Sequence, residues 1–137
     1  MFEFPESIPK RLALFVLSFF FVAVGVGHFV DPDSFVAIMP DYLPLHLELV
    51  YLSGVFEVGL GLAVLFQPVR QRAGYGIIAL LIAVFPANLN MALNPEPFLE
   101  QGMTMLALYG RLPFQFIFMA WAIWATRPDA KPMDPTP

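Results

Sequence analysis

The run from Leu45 to Phe66 is apolar and long enough to cross a lipid bilayer, and it carries a carboxylate, Glu57, about halfway along. An ionisable group at that depth costs about 3 kcal/mol or several times more, so it seldom lies there without a role. Ser53, Gly54 and Gly61 share a helical face with Glu57, at the i−4, i−3 and i+4 positions. This small, polar face predicts packing against other helices instead of lipid.

The composition also indicates a membrane protein. Of the 137 residues, 58% are hydrophobic and only 13% are charged, whereas soluble domains carry about 25% charged residues. The net charge of −4 leaves no basic patch for phosphates, so we expect no nucleic-acid partner. Cysteine is absent, which excludes disulfides and thiolate metal sites, and no metal-spaced cluster of other ligands occurs.

Three further runs resemble the first, and we predict membrane-spanning helices at about residues 12–30, 45–66, 73–93 and 103–126. The first run also fits a secretory signal peptide, but its length and the three later spans favour a helix. The start of the fourth helix is ambiguous. From Pro113 it would reach only about 21 Å, whereas from Met103 it reaches about 36 Å and places Arg111 inside the membrane. We favour the longer helix.

The connectors and the tail have their own signals. Asp31 is a natural N-cap and Pro32 fits a first helical position, which predicts a short interfacial helix that ends near Met39. We expect Pro44 to start the second spanning helix. Residues 94–102 form a second acidic connector, and residues 127–137 are proline-rich and predicted to be disordered.

The third spanning helix contains a proline and a face of small residues. Pro86 leaves the carbonyl of Ile82 without its usual partner, so we expect a kink or a polar neighbour there. The small residues recur at three- and four-residue spacing and predict close contact with another helix; they are Gly76, Ala79, Ala83 and Ala87.

The basic residues outside the spans predict the orientation. They lie on one side of a four-span arrangement, at Lys10, Arg11, Arg70, Arg72, Arg127 and Lys131, and the opposite connectors contain none. The positive-inside rule then places both termini in the cytoplasm. We therefore predict an all-α, multi-pass four-helix bundle that forms one transmembrane domain over residues 1–137. The lysine-free outer face fits a bacterial inner membrane.

In this topology all four spans send polar groups into the outer half of the bundle. The candidate pocket residues are His28, Asp31, Glu57, Asn88, Asn90, Arg111 and Gln115. A Glu57–Arg111 ion pair would neutralise both buried charges, and we predict that partnership.

Each candidate also has a structural interpretation. Glu57 fits a purely structural carboxylate equally well. For His28, a structural role near the helix end, with a hydrogen bond to Asp31, is favoured over a role as a ligand. Arg111 could extend to the headgroups. The two asparagines could satisfy backbone groups freed by the helix proline. His46 is expected to be solvated, and the phenylalanines are expected to pack or to face lipid.

Four stretches resemble the DoxX-like family of small four-helix membrane proteins: GVGHFVDPDSFVAIMPDYLP, LVYLSGVFEVGLGLAVLF, IIALLIAVFPANLNMALN and YGRLPFQFIFMAWAIWATR. The resemblance covers about residues 12–127. It implies roles for His28, Pro40, Glu57, Pro86, Asn88, Arg111 and Gln115. The family was named for a small subunit of a membrane quinol-oxidising system, and some relatives are implicated in membrane redox complexes. Distant relatives look like receptor-assembly chaperones, and most members have no established activity.

Three functions follow as hypotheses. The first is an accessory subunit of a membrane redox complex, with a quinone or lipid head group near Glu57 and Arg111. The second is a non-catalytic assembly factor that docks on a membrane partner or on a second copy. The third is a small proton-coupled transporter. No catalytic motif occurs, so we expect no enzyme activity from the chain alone. Haem is disfavoured because only His28 and His46 could ligate it.

Overall fold

The computed structural model describes residues 3–130, and that part of the chain is all-helical, without a strand. The helices are α1 Ile8–Val30, α2 Pro32–Val36, α3 His46–Ala63, a 3₁₀ turn Gln67–Val69, α4 Arg70–Leu93, α5 Glu96–Glu100 and α6 Met105–Thr126. Four of them, α1, α3, α4 and α6, are long and apolar enough to cross a membrane. The prediction of an all-α chain with four such helices is confirmed.

The four long helices form two close pairs. Helix α1 packs mainly on α3, and α4 packs mainly on α6, while the two pairs touch each other less extensively. The main hydrophobic core joins the pairs near the chain termini; it includes Leu14, Leu17, Phe21, Val64, Ile77, Phe118 and Ala122. Toward the opposite end, which carries α2 and α5 and is called the connector end below, the pairs are separated by a cavity.

Glycines allow α1 and α3 to approach closely. A Cβ atom on Gly25 would lie 2.8 Å from Val58 Cγ2, and one on Gly54 would lie 2.8 Å from His28 Cβ. Both distances are well below the contact of about 3.5–4.0 Å between carbon atoms, so a side chain would force the helices apart. Ser18 Oγ adds a hydrogen bond of 2.6 Å to the Gly61 carbonyl. The small face around Glu57 therefore packs on α1.

Several boundaries differ from the predicted ones. Helix α1 begins four residues before the predicted start at residue 12, and α2 ends at Val36 instead of near Met39. Helix α3 starts at His46 because Leu45, at φ 55°, adopts the left-handed conformation. Helix α5, in the second connector, was not predicted.

Helix α6 takes the longer of the two forms weighed from the sequence. It begins at Met105, and Thr104 caps it by accepting a hydrogen bond from the Ala107 amide at 3.1 Å. Pro113 therefore lies inside the helix, and Arg111 lies in its second turn.

Polar contacts hold the end that carries the termini. Lys10 Nζ donates to the Asp129 carboxylate at 2.8 Å and also to the Arg127 carbonyl. The hydrogen bond from Lys10 to the carboxylate holds the pKa of Asp129 below its usual range. Arg70 donates to the Val64 carbonyl at 2.8 Å and to the Glu3 carbonyl at 2.6 Å. Residues 127–130 of the tail predicted to be disordered are thus held against α1, and residues 131–137 lie outside the described residues.

Candidate functional site

A cavity of about 940 Å³ lies between the two helix pairs, toward the connector end. All four long helices line it, α2 contributes Phe35, and the segment that follows α2 contributes Ile38, Met39 and Leu43 to its wall. Most lining residues are apolar. The polar ones are few, and they are His28, Ser53, Glu57, Asn88, Arg111 and Gln115. The structure thus brings five of the seven candidate residues onto the walls of one cavity.

His28 and Glu57 form the most buried polar pair of the cavity. His28 Nδ1 lies 3.2 Å from Glu57 Oε2, and only 5% of His28 and 9% of Glu57 are exposed. The single hydrogen of Nδ1 is donated to the Val24 carbonyl at 2.9 Å. Glu57 Oε2 consequently contacts the ring but has no hydrogen bond of its own within the described residues. A buried carboxylate oxygen without a partner is rare in proteins.

The glycine contacts explain why these two residues meet. Gly25 precedes His28 by three residues, and Gly54 precedes Glu57 by three residues. Because residues three apart share a helical face, the two glycines bring the faces of α1 and α3 together, and the polar side chains follow. This repeated spacing was the sequence signal for the pair, and it was not used in the prediction.

Phe35 covers the histidine ring and was not predicted as a site residue. The two ring centroids are 3.8 Å apart, with an interplanar angle of 24°. Phe35 lies on α2, which Pro32 and its N-cap Asp31 start directly after α1, so the short helix folds back over the end of α1. The stack therefore forms part of the cavity wall beside His28.

On the opposite wall, Gln115 joins α6 to α4. Its Nε2 donates to the Leu81 carbonyl at 2.6 Å, and its Oε1 accepts from Asn88 Nδ2 at 3.0 Å. The polar neighbour expected near Pro86 is therefore present, but it serves Leu81 instead of the predicted carbonyl of Ile82. A glutamine from α6 supplies it, and neither asparagine does.

The predicted ion pair between Glu57 and Arg111 is not formed. Glu57 contacts His28, while the one polar contact that the Arg111 side chain makes within residues 3–130 is Nη1 to Met91 Sδ at 3.8 Å. Glu57 is held on the wall formed by the α1–α3 pair, and Arg111 lies on the wall formed by α4 and α6. Counting residues from the sequence predicts similar depths for both residues, but their helices belong to the two pairs that face each other across the cavity.

Two predicted site residues lie outside the cavity. Asp31 is exposed and accepts a hydrogen bond from Ser34 Oγ, so it pairs with α2 and not with His28 as predicted. Asn90 Nδ2 donates to the Ile38 carbonyl at 3.4 Å and fastens the segment after α2 to α4. His46, which was expected to be solvated, is half-buried, and its Nε2 donates to the Pro40 carbonyl at 3.0 Å.

The small residues of α4 have a different position from the predicted one. Gly76, Ala79, Ala83 and Ala87 all line the cavity. Gly76 also closely approaches α3, where an added Cβ would lie 2.6 Å from Leu60 Cδ2. Their lack of bulk therefore makes space between the two pairs, where close helix contact had been expected.

Hydrogen bonding and charge are the chemistry that this site offers. No group of three or more His, Cys, Asp or Glu side chains able to hold a metal ion occurs among residues 3–130. Within the described part of the chain, the site offers a carboxylate oxygen without a hydrogen bond, a guanidinium without an ion pair and an amide pair, all on apolar walls. An amphipathic molecule has the matching properties.

Fold and site together define a class of helical-bundle proteins, with four helices able to span a membrane and a partly polar cavity between two helix pairs. Within it, this chain belongs to the family described as Domain of unknown function (DUF8561), which matches residues 17–126. No curated protein and no solved structure matches the chain.

Proposed function

We propose that this chain is a multi-pass protein of a bacterial inner membrane, with both termini in the cytoplasm and both connectors outside. Support comes from the four long apolar helices and from Lys10, Arg11, Arg70, Arg72 and Arg127, which lie at the helix ends near the chain termini. Reporter fusions after residue 130 and within residues 94–102 test the orientation. We expect a cytoplasmic readout from the first and an external readout from the second; the reverse result would overturn it.

We further propose that the cavity binds a bilayer-soluble amphiphile, and that the chain does so as an accessory subunit of a membrane redox complex. The observation that carries this proposal is the cavity itself. Its volume of about 940 Å³ lies at the upper end of the range of about 300–1,000 Å³ typical of small-molecule sites. Its walls are apolar apart from a few polar groups, which is the usual composition of such sites.

The polar groups can hold the head of a quinone or of a lipid. Arg111 and the amide nitrogen of Asn88 are donors that suit a ligand carbonyl or acidic oxygen. Glu57 Oε2 accepts no hydrogen bond from the residues that the structure describes, and it suits a ligand hydroxyl such as that of a quinol. The redox role rests on the resemblance to the DoxX-like family, which remains a prediction.

Extraction of bound molecules tests ligand binding. Ala83→Phe would fill the cavity, whereas Ala120→Phe would add the same ring to an exposed position of α6 that does not line it. The wild type and Ala120→Phe should each retain about one quinone or lipid molecule per chain after purification, measured by mass spectrometry. Ala83→Phe should retain much less. Equal retention by both variants would contradict the proposal.

The assembly-factor hypothesis remains the alternative function. It requires a helix face for a partner, and two glycines, Gly59 and Gly110, leave open space on the surface, with no atom within 4 Å of an added Cβ. Crosslinking in native membranes distinguishes the two functions. A stoichiometric partner that is lost on Gly59→Leu, with no bound amphiphile, would favour assembly. The transporter hypothesis predicts flux in proteoliposomes that Glu57→Gln abolishes.

A further inference from the structure

We infer that the amphiphile bound in the cavity is acidic, and that Arg111 binds the negatively charged oxygens of its head group. The inference rests on the proposed ligand binding and names the chemical class of the ligand. Either a free fatty acid or the phosphate of a phospholipid has this chemistry.

The first argument is the absence of a counter-charge for Arg111 inside the protein. Within residues 3–130 its guanidinium forms no ion pair, and its single polar contact is the weak one to Met91 Sδ at 3.8 Å. The guanidinium group of arginine stays protonated in proteins, so its positive charge is permanent. A permanent cation in a membrane-spanning helix is stable only when it has a polar or charged partner.

The second argument is the charge balance of the cavity wall. Arg111 and Glu57 are the two lining residues, among those described, with side chains that are charged in their ordinary state. Glu57 lies 3.2 Å from His28 and is held on the opposite pair of helices. Because the acid and the base do not meet, a neutral ligand would leave Arg111 unpaired, whereas a carboxylate or a phosphate would pair with it. Arginine also matches the paired oxygens of both groups geometrically.

The third argument is the position of Arg111 beside apolar space. It lies six residues after the start of α6, or about 9 Å below that helix end. It is exposed at the edge of the cavity, next to Phe114 and the buried Gln115 on the same helix. An acidic head group at Arg111 would therefore place its acyl chain along the apolar wall that includes Ala83 and Ala87.

Equilibrium binding to purified protein in nanodiscs of neutral lipid tests the inference. Radiolabelled palmitate, hexadecanol, lysophosphatidic acid and a short-chain ubiquinone are the probes, measured by scintillation proximity. Palmitate and hexadecanol share a chain length and differ in the charge of the head. The variants are Arg111→Gln, Arg111→Lys and the control Arg72→Gln, which removes an exposed arginine that does not line the cavity.

We expect the wild type to bind at least one of the two acidic probes at least tenfold more tightly than hexadecanol. Arg111→Gln should weaken acid binding about tenfold or more, because a hydrogen bond between charged groups is lost. Arg111→Lys should retain most of it, Arg72→Gln all of it, and hexadecanol binding should not change. Preference for palmitate would identify a fatty acid, and preference for lysophosphatidic acid would identify a phospholipid.

Three results would overturn the inference. Unchanged acid binding by Arg111→Gln would mean that Arg111 only extends to the bilayer headgroups. Tighter binding of ubiquinone or hexadecanol than of either acid would refute the acidic class but leave the proposed cavity function intact. Absence of binding for all four probes would refute the cavity function and the inference with it.

Discussion

Replacement of Gly54 by alanine should separate α1 from α3 and loosen the His28–Glu57 pair. The added Cβ would lie 2.8 Å from His28 Cβ and 3.0 Å from the Gly25 carbonyl oxygen. Ordinary carbon–carbon contacts are about 3.5–4.0 Å, so the helices must move apart by about 1 Å. Such overpacking costs about 1–3 kcal/mol, while alanine in a helix gains about 1 kcal/mol over glycine.

Gly59→Ala is the matched control. It lies on the same helix, and an added Cβ there meets nothing within 4 Å, so only the gain of about 1 kcal/mol in helix propensity applies. The free energy of unfolding, measured by reversible SDS titration of the detergent-solubilised protein, should therefore be about 1–3 kcal/mol lower for Gly54→Ala than for Gly59→Ala. Equal stability of the two variants would refute the close glycine contact.

Three further predictions concern other contacts. Gln115→Leu should lower the free energy of unfolding by about 1–3 kcal/mol, because the buried Gln115 side chain loses its hydrogen bonds to the Leu81 carbonyl and to Asn88; an unchanged SDS titration would contradict this. Arg70→Lys should cost a similar amount in the same assay, because lysine lacks the planar fork that serves three backbone carbonyls. Asp129 has a depressed pKa in the folded state, so its contact with Lys10 should stabilise the fold above the usual aspartate range and be lost as the pH falls through the depressed pKa. Carboxyl NMR should show this titration, and Lys10→Gln should return it toward the ordinary value.

The sequence was sufficient to predict the four long helices, because each apolar run is about as long as a bilayer is thick. The sequence predicted helix boundaries less well where a charged residue lies inside a helix. Lys10 was taken as the polar flank of the first span, yet it lies inside α1, because Asp129 and a backbone carbonyl satisfy its ammonium group. Such a partner, more than 100 residues away in the chain, is not visible in a local pattern.

The sequence predicts roughly how far along its helix each site residue lies, but not which way the side chain faces. Counting residues placed Glu57 and Arg111 at similar heights, whereas pairing also depends on how each helix is rotated about its axis. Close glycine packing sets that rotation for α1 and α3 and brings His28 to Glu57. The same uncertainty explains why the small residues of α4 were predicted to form a close helix contact, although they line the cavity. A helix face of small residues suits either arrangement equally well.

Photo-crosslinking is the most direct test of the central claim, that an amphiphile occupies the cavity between the helix pairs. A palmitate analogue with a mid-chain diazirine would be irradiated with the protein in nanodiscs, and the labelled residues would be mapped by mass spectrometry. We predict labels on the inner faces of α3 and α4, around Phe56 and Ala83, which unlabelled palmitate suppresses. Labels on the exposed outer positions of α6, such as Phe116 and Ile117, that unlabelled palmitate does not suppress would contradict it.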